Sequence, residues 1–307
     1  TAASADACFA LTAAVGAATV PRPMTAPTTS ALCSLAAAAT LHPSVETTVP
    51  AGVAAAALLG IVIGLPLAGW ALVAWIGHAS YHGEPLLGWL RLLSIPYLRH
   101  FQRLRVEGLE HIPVTLGANG LLIVSNHVAG LDPVAIQSTT PFPIRWLMSA
   151  EMMVPSLAWM WRRLRVIPVC FDSRDASALK TAIAHLAGGG VLGIFPEGAI
   201  ERPARQLRPF SGGLRLILAR SKAPVLVAVI DPGETAETAY AALFKPTRAK
   251  LRYLARIEPG PDGHGRDAAE RIFELMKRET GWPVNDAPAG TVDAAAVERN
   301  LRAFADR

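Results

Sequence analysis

The amino-acid sequence predicts an α/β fold with a mixed, mainly parallel sheet, helices on both faces of the sheet and an N-terminal membrane helix before it. Apolar runs of strand length alternate with segments of helical periodicity, a pattern typical of strands connected by helices. A long uncharged segment precedes this region, as expected for a membrane helix. The predicted strands are 121–125, 165–169, 191–195, 225–230 and 251–257, and the main predicted helices are 176–186, 214–221 and 267–279.

Composition divides the chain into five segments. Residues 1–50 are rich in Ala, Thr, Ser and Pro, which predicts a low-complexity tail. The uncharged residues 51–77 predict a transmembrane or re-entrant helix, and residues 78–104 predict an interfacial amphipathic segment. The α/β domain is expected over residues 105–285, followed by a C-terminal helical tail over residues 286–307.

The uncharged segment 51–77 is long enough to cross a bilayer. As one helix at ~1.5 Å per residue it would extend about 40 Å, more than a hydrocarbon core of ~30 Å. Pro66 lies near its middle and leaves two alternatives, a kinked transmembrane helix and a re-entrant hairpin in one leaflet. Arg22 is the only Lys or Arg before the segment, and the cations that follow it closely are Arg91, Arg99, Arg103 and Arg105. The positive-inside rule therefore predicts a single-pass or monotopic membrane protein whose α/β domain faces the cytoplasm.

Residues 86–105 combine apolar side chains with those arginines. Such a mixture suits a helix that lies on the bilayer surface and is broken near Pro96. A linker helix that packs on the α/β domain explains the same residues equally well.

The composition also indicates what kind of partner the chain meets. Hydrophobic residues make up 51% of the sequence and charged residues 17%, which favours contact with the membrane bilayer. The net charge of +5 suits anionic lipid headgroups, phosphorylated substrates or an acidic carrier. The sequence has no motif of combined aromatic and basic residues that would indicate binding to nucleic acid. Three cysteines without paired spacing predict neither a structural disulfide nor a metal site.

A histidine and an aspartate follow the predicted strand 121–125. Asn126 ends the strand, His127 comes next, and Asp132 and Pro133 predict an N-cap and the first turn of a helix. A neutral imidazole can accept a proton from an attacking alcohol, and a nearby carboxylate fixes its tautomer and stabilises the imidazolium. A purely structural role, with Asp132 as a cap and His127 as a turn residue, is the alternative that these residues alone leave open.

A second polar motif follows the predicted strand 191–195. Phe195 ends this strand, Pro196 prevents its continuation, Glu197 supplies a carboxylate and Gly198 permits a tight turn. A carboxylate at a strand exit can accept hydrogen bonds from substrate hydroxyls. The basic residues Arg202 and Arg205 follow in the next loop, where guanidinium groups can bind phosphate through paired hydrogen bonds.

The two motifs in this order resemble those of the glycerophospholipid acyltransferases, the 1-acyl-sn-glycerol-3-phosphate acyltransferase superfamily. The resemblance rests on Asn126-His127, four intervening residues and Asp132, and then on the run from Phe195 to Gly198. It covers about residues 105–260. It implies O-acyl transfer from acyl-CoA or acyl carrier protein to the hydroxyl of a lysophospholipid, most directly 1-acyl-glycerol-3-phosphate giving phosphatidic acid. No cofactor and no metal are expected.

The resemblance also implies roles for individual residues. His127 would be the general base and Asp132 its orienting partner. The substrate-binding residues would be Asn126, Arg174, Phe195, Pro196, Glu197, Gly198, Arg202 and Arg205. The absence of a G-x-S-x-G motif agrees with direct attack on the thioester without a covalent intermediate.

The sequence departs from the family pattern at several positions. Arg165 stands where a glycine is usual, and Phe171 stands where an arginine is usual, with Arg174 three residues further on. Ile200 replaces the customary arginine after Glu197 and Gly198, and Val227 replaces a proline. These changes affect the expected identity of the acceptor headgroup more than the expected acyl-transfer reaction. Another lysolipid, an aminolipid or a glycolipid therefore stays open as the acceptor, as do thioester hydrolysis and a non-catalytic lipid-binding homologue.

Overall fold

The structure is a computed structural model that describes residues 50–80, 85–170, 176–200, 203–234, 243–287 and 293–305. The predicted tail before residue 50 lies outside these ranges, and so do Phe171, Arg174 and Arg202. The chain divides into two units, Thr1–Gly60 and Ile61–Arg307. In the first unit the described residues belong almost entirely to a helix, and the second contains the sheet.

Helix α1 spans Ala51–Ser80 and includes Pro66 without a break. Its part Ala51–Ile76 is long and apolar enough to cross a membrane, as judged by length and composition. A re-entrant hairpin would need a turn inside this stretch, and the helix has none between its described ends. The structure thus shows one continuous helix over Ala51–Ser80, and its placement across a membrane stays a prediction.

The remaining elements follow in chain order. The helices are α2 (Pro85–Pro96), a π-helical turn (Tyr97–Phe101), α3 (Asp132–Thr139), α4 (Ala158–Arg163), α5 (Ala176–Ala187), α6 (Gly212–Arg220), α7 (Ala268–Thr280) and α8 (Ala294–Ala305). The strands are β1 (Arg105–Glu107), β2 (Leu121–Ser125), β3 (Ile144–Ser149), β4 (Ile167–Val169), β5 (Val191–Ile194), β6 (Val225–Asp231) and β7 (Lys250–Ile257). Short 3₁₀ turns at Leu109–His111, Ala150–Met152 and Pro155–Leu157 connect some of them.

The seven strands form one sheet in the order β1-β7-β6-β2-β5-β3-β4. All neighbouring pairs are parallel except β6 and β7, which are antiparallel. The predicted mixed, mainly parallel sheet is thus confirmed. The sequence analysis missed β1 and β3. It also began β4 too early, because Arg165 has a φ of 52° and so cannot belong to an extended strand.

Side-chain alternation along the strands builds a core on each face of the sheet. In β2, Leu122 and Val124 face a core that contains residues of α5, α6 and α7. Leu121 and Ile123 face the opposite core, which contains Ile136 of α3. All five residues of β2 are buried, so this strand lies at the centre of the fold. A strand buried on both faces fixes the position of the turn that follows it.

Candidate active site

The candidate site lies at the carboxyl ends of three neighbouring strands. In the register of the sheet, Val124 of β2 is level with Ile194 of β5, and Ser125 of β2 is level with Ala228 of β6. The turns that leave β2 and β5 therefore begin side by side. Open α/β sheets bind ligands at this edge. The two sequence motifs, which are far apart along the chain, meet here.

His127 and Asp132 form a hydrogen-bonded pair. The distance from His127 Nδ1 to Asp132 Oδ2 is 2.8 Å. The Asp132 side chain is buried, whereas the His127 side chain retains 19% of its exposure. A buried carboxylate therefore holds one ring nitrogen, and the imidazole remains accessible.

The carboxylate of Asp132 is fixed by the backbone of the turn. Its Oδ2 accepts hydrogen bonds from the N–H groups of Val128 and Ala129, at 2.7 and 2.8 Å. The predicted N-cap role is wrong, because α3 begins at Asp132 itself and Leu131 precedes the helix without a side-chain cap. The carboxylate points back to the turn before the helix, and this orientation brings it to the histidine.

Asn126 joins the ends of β2 and β6. Its Nδ2 donates to the carbonyl oxygen of Ile230 at 2.9 Å, and its Oδ1 accepts from the N–H of Ile230 at 2.7 Å. The residue is fully buried. The sequence analysis predicted a contact with substrate, whereas these bonds give Asn126 a positioning role at the base of the His127 turn.

Glu197 links the two motifs. Its Oε2 accepts a hydrogen bond of 3.3 Å from the backbone N–H of His127, and the residue is 5% exposed. Gly198 closes the turn with a φ of 75° and donates its N–H to the carbonyl of Phe195 at 3.1 Å. The carbonyl of Pro196 accepts the N–H of Ser211 at the start of α6, at 2.8 Å. The second motif thus helps to hold the first in place, because the Glu197 side chain binds the backbone N–H of His127.

Two aromatic rings, those of Phe195 and Trp146, are stacked beside the pair of His127 and Asp132, which we call the dyad. The Phe195 ring lies 4.2 Å from the imidazole of His127 and 5.0 Å from the ring of Trp146, measured between centroids. Trp146 lies in β3 and packs over Gly193, where a Cβ atom would come within 2.4 Å of the indole. Sequence reasoning missed both Trp146 and Gly193. The period-two spacing of Ile144 and Trp146 would have indicated the strand.

Of the three arginines predicted to bind substrate, the structure describes Arg205. Its Nε lies 3.1 Å from Asp231 Oδ1 at the end of β6, and the side chain is more than half exposed. Arg205 therefore lies at the same edge of the sheet as the dyad. Arg174 and Arg202 lie outside the described residues. Within the described ranges, no group of three or more His, Cys, Asp or Glu residues could hold a metal ion.

Comparisons with known proteins identify the fold and the domain. Residues 103–231 match the family model described as Acyltransferase. The fold is similar to that of the 1-acyl-sn-glycerophosphate (LPA) acyltransferase PlsC from Thermotoga maritima, known from a crystal structure, with a TM-score of 0.53 and 21% sequence identity. The similarity covers 64% of this chain and 79% of that one. No curated protein matches the sequence.

Residues 103–231 are thus similar to an acyltransferase domain, and they lie in an α/β fold similar to that of an acyltransferase of known structure. The match over residues 103–231 agrees with the family resemblance that the two motifs predicted.

Proposed function

We propose that the protein transfers a fatty acyl group from a thioester donor to the hydroxyl of a lysophospholipid, with 1-acyl-glycerol-3-phosphate as the acceptor and phosphatidic acid as the product. The hydrogen bond between His127 and Asp132 is the observation that carries this proposal. The acyltransferase domain supports the reaction type. The proposed acceptor is the one for which the Thermotoga maritima acyltransferase is named.

In the proposed mechanism His127 is the general base. With its proton on Nδ1, the imidazole donates to Asp132 Oδ2 and leaves the lone pair of Nε2 for the acceptor hydroxyl. The hydroxyl oxygen attacks the thioester carbonyl carbon as Nε2 takes its proton. The tetrahedral intermediate then expels the thiolate, which receives the proton from the imidazolium. The carboxylate of Asp132 stabilises the charged ring between these steps.

In the proposed complex, arginines in the loops around His127 and Asp132 bind the phosphate of the acceptor. Arg205 is directed to this edge of the sheet by Asp231 and is exposed enough to reach a headgroup. Arg174 and Arg202 are assigned the same role from the sequence. Charge-assisted bonds from guanidinium groups suit a phosphate better than a neutral headgroup. This favours a lysophosphatidic acid over an aminolipid or a glycolipid.

In this proposal the reaction takes place at the cytoplasmic surface of a bilayer. Helix α1 could hold the chain in the membrane, and the arginines that follow it favour the cytoplasmic side. The lysophospholipid would enter from the membrane, whereas acyl-CoA or acyl carrier protein would arrive from water. Residues 78–104 would then lie at the interface.

Acyl transfer by the purified protein in mixed micelles tests the proposal. The assay measures thiol release and product lipid with lysophosphatidic acid, with other lysolipids and without an acceptor. We expect product only with a lysophospholipid and a loss of about 10²–10⁴-fold in kcat for His127→Ala. His111→Ala, the same change outside the site, should keep wild-type activity. Wild-type turnover in His127→Ala, or thiol release without an acceptor, would contradict the proposal.

A further inference from the structure

The imidazole of His127 is held at one edge and on one face. At the edge, Nδ1 lies 2.8 Å from Asp132 Oδ2. On the face, the Phe195 ring lies 4.2 Å from the imidazole between centroids, and the two planes differ by 14°. A hydrogen bond at a single nitrogen leaves a ring able to tilt about that bond, whereas a stacked ring restricts the tilt. The contact on the face therefore helps to determine the direction in which Nε2 points.

The Phe195 ring is in turn stacked on Trp146. The centroids of these two rings are 5.0 Å apart, and their planes differ by 7°. Stacked aromatic pairs are stabilised beyond the effect of the area they bury, because of the quadrupoles of their π-systems. Both rings are partly buried and pack against the core that contains Ile123 and Ile144. A continuous series of contacts thus connects the core to the imidazole.

The register of the sheet places Trp146 against the segment that carries Phe195. Trp146 of β3 is level with Gly193 of the parallel neighbour β5. Gly193 and Phe195 are two residues apart, so their side-chain positions lie on the same face of the sheet. A Cβ atom at Gly193 would come within 2.4 Å of the indole. The glycine therefore leaves the space that the indole occupies beside Phe195.

Trp146 and Gly193 are complementary in volume across two neighbouring strands. The largest side chain lies on β3, and the residue without a side chain lies opposite it on β5. Protein interiors are close-packed, so a smaller side chain at position 146 would leave a void over Gly193. The Phe195 ring could then move towards this void, and the imidazole of His127 would lose the surface that restricts its tilt.

We propose that Trp146 is a positioning residue for His127 and acts through Phe195. This inference rests on the proposed function, because it concerns the imidazole that takes the proton of the acceptor hydroxyl. Proton transfer requires Nε2 to lie within hydrogen-bond reach of that hydroxyl, and small errors in position lower the rate strongly. Trp146 contacts neither substrate in this proposal. It keeps the imidazole in the orientation in which Nε2 meets the hydroxyl.

Acyl-transfer kinetics of the full chain in mixed micelles test the inference. Trp146→Leu and Trp146→Met remove the aromatic ring and keep an apolar side chain, and the flexible methionine fills more of the space if the leucine variant does not fold. We expect kcat to fall by about tenfold, the rate equivalent of one stacked aromatic pair. The KM of both substrates should stay within about twofold of the wild type, because binding is not affected.

Two further variants serve as controls in the same assay. Trp146→Phe restores a ring that can stack on Phe195, so its kcat should lie within about threefold of the wild type. Trp159→Leu is the matched control, since Trp159 lies in α4 with 55% of its surface exposed, and it should turn over like the wild type. An equal loss in Trp159→Leu, or a rise in KM at unchanged kcat in Trp146→Leu, would overturn the inference.

A double-mutant cycle tests whether Trp146 acts through Phe195. If it does, Phe195→Leu should lower kcat at least as much as Trp146→Leu, and the double variant should be no slower than Phe195→Leu alone. Two independent losses would multiply. A double variant whose kcat falls by the product of the two single effects would therefore overturn the inference.

Nuclear magnetic resonance of isotopically labelled histidine supplies a readout that does not depend on turnover. The His127 signal is assigned by its absence in His127→Ala and is measured at about pH 8.5, where ordinary imidazoles are neutral. Protons over the face of an aromatic ring resonate upfield, so the carbon-bound protons of the stacked imidazole should move downfield in Trp146→Leu and not in Trp146→Phe. An unchanged His127 signal in Trp146→Leu would overturn the inference.

The outcome is separable from that of the proposed function. A His127 signal that depends on Trp146, in a protein that acylates no lysolipid, would refute the proposed reaction and keep the positioning of the imidazole. Acyl transfer with the wild-type kcat in Trp146→Leu would refute the positioning role and keep the reaction.

Discussion

Asn126 and the backbone of Ile230 exchange two buried hydrogen bonds, which join the turn after β2 to the end of β6. Truncation of the amide should destabilise the protein, since it leaves a buried N–H and a buried carbonyl unpaired. We expect Asn126→Ala to lower the free energy of unfolding by roughly 1–3 kcal/mol for each group left unpaired. Chemical denaturation in detergent measures this loss.

The neighbouring Ser125 provides the matched control for that experiment. Its hydroxyl is fully buried and has no hydrogen-bond partner among the residues that the structure describes. Ser125→Ala should therefore leave stability unchanged or raise it slightly. Equal losses in Ser125→Ala and Asn126→Ala would show that the effect comes from general packing and not from the two hydrogen bonds.

Replacement of Asp132 by Asn should impair turnover more than binding. The carboxylate accepts hydrogen bonds from two backbone N–H groups and from the imidazole at a single oxygen, and a neutral amide stabilises an imidazolium poorly. We expect kcat to fall by about 10²–10⁴-fold with little change in the KM of either substrate. Asp267→Asn, the same change at an exposed position before α7, is the control. A rise in KM alone would argue against the orienting role.

Gly193 should be intolerant of even one methyl group. A Cβ atom at this position would come within 2.4 Å of the Trp146 ring, which stacks on Phe195 beside His127. Gly193→Ala should lower the free energy of unfolding by about 1–3 kcal/mol and reduce kcat, because the ring stack must shift. A Cβ atom at Gly212 would meet no atom of the described residues within 4 Å, so Gly212→Ala should be neutral or mildly stabilising. Equal stability of the two variants would contradict the packing argument.

His185 should make the protein less stable in mild acid. Its folded pKa lies below the usual 6.5, mainly because of burial, so the unfolded chain binds more protons in that range. This contribution to stability is complete above about pH 6.5 and is lost as the pH falls through the folded pKa. Unfolding measured from about pH 7.5 to about pH 5 should show a shallower pH dependence in His185→Gln. An identical pH dependence of stability in the wild type and in His185→Gln would show that His185 does not cause the loss of stability in acid.

Local patterns in the sequence were sufficient to predict β2, β5, β6 and β7 and the pairing of His127 with Asp132. The run Leu121–Ser125 is uniformly apolar up to its last residue, and the following His127 and Asp132 are close enough in the chain to meet within one turn. Periodicity and turn chemistry act over a few residues, so they can be recognised in a single sequence. For the same reason β5, β6 and β7 were placed to within one residue.

Contacts between distant segments could not be predicted in this way. Asn126 pairs with Ile230 and Glu197 with His127 because β2 lies between β5 and β6, and that strand order is a property of the whole sheet. The three-residue strand β1 carries too short a pattern to be recognised. The true direction of the Asp132 carboxylate depends on the turn that precedes α3, and the sequence shows only a residue type that is common at caps.

The division between buried and exposed groups at the site has an evolutionary consequence. Asn126, Asp132 and Glu197 are each at most 5% exposed and are held by the backbone, whereas Arg205 lies on the surface. If the proposed reaction is correct, changes in surface loops can alter which headgroup is accepted without disturbing the geometry of proton transfer. A scaffold built in this way can diversify into acyltransferases for new lysolipids through a few loop substitutions. Headgroup preference is accordingly the property most open to redesign.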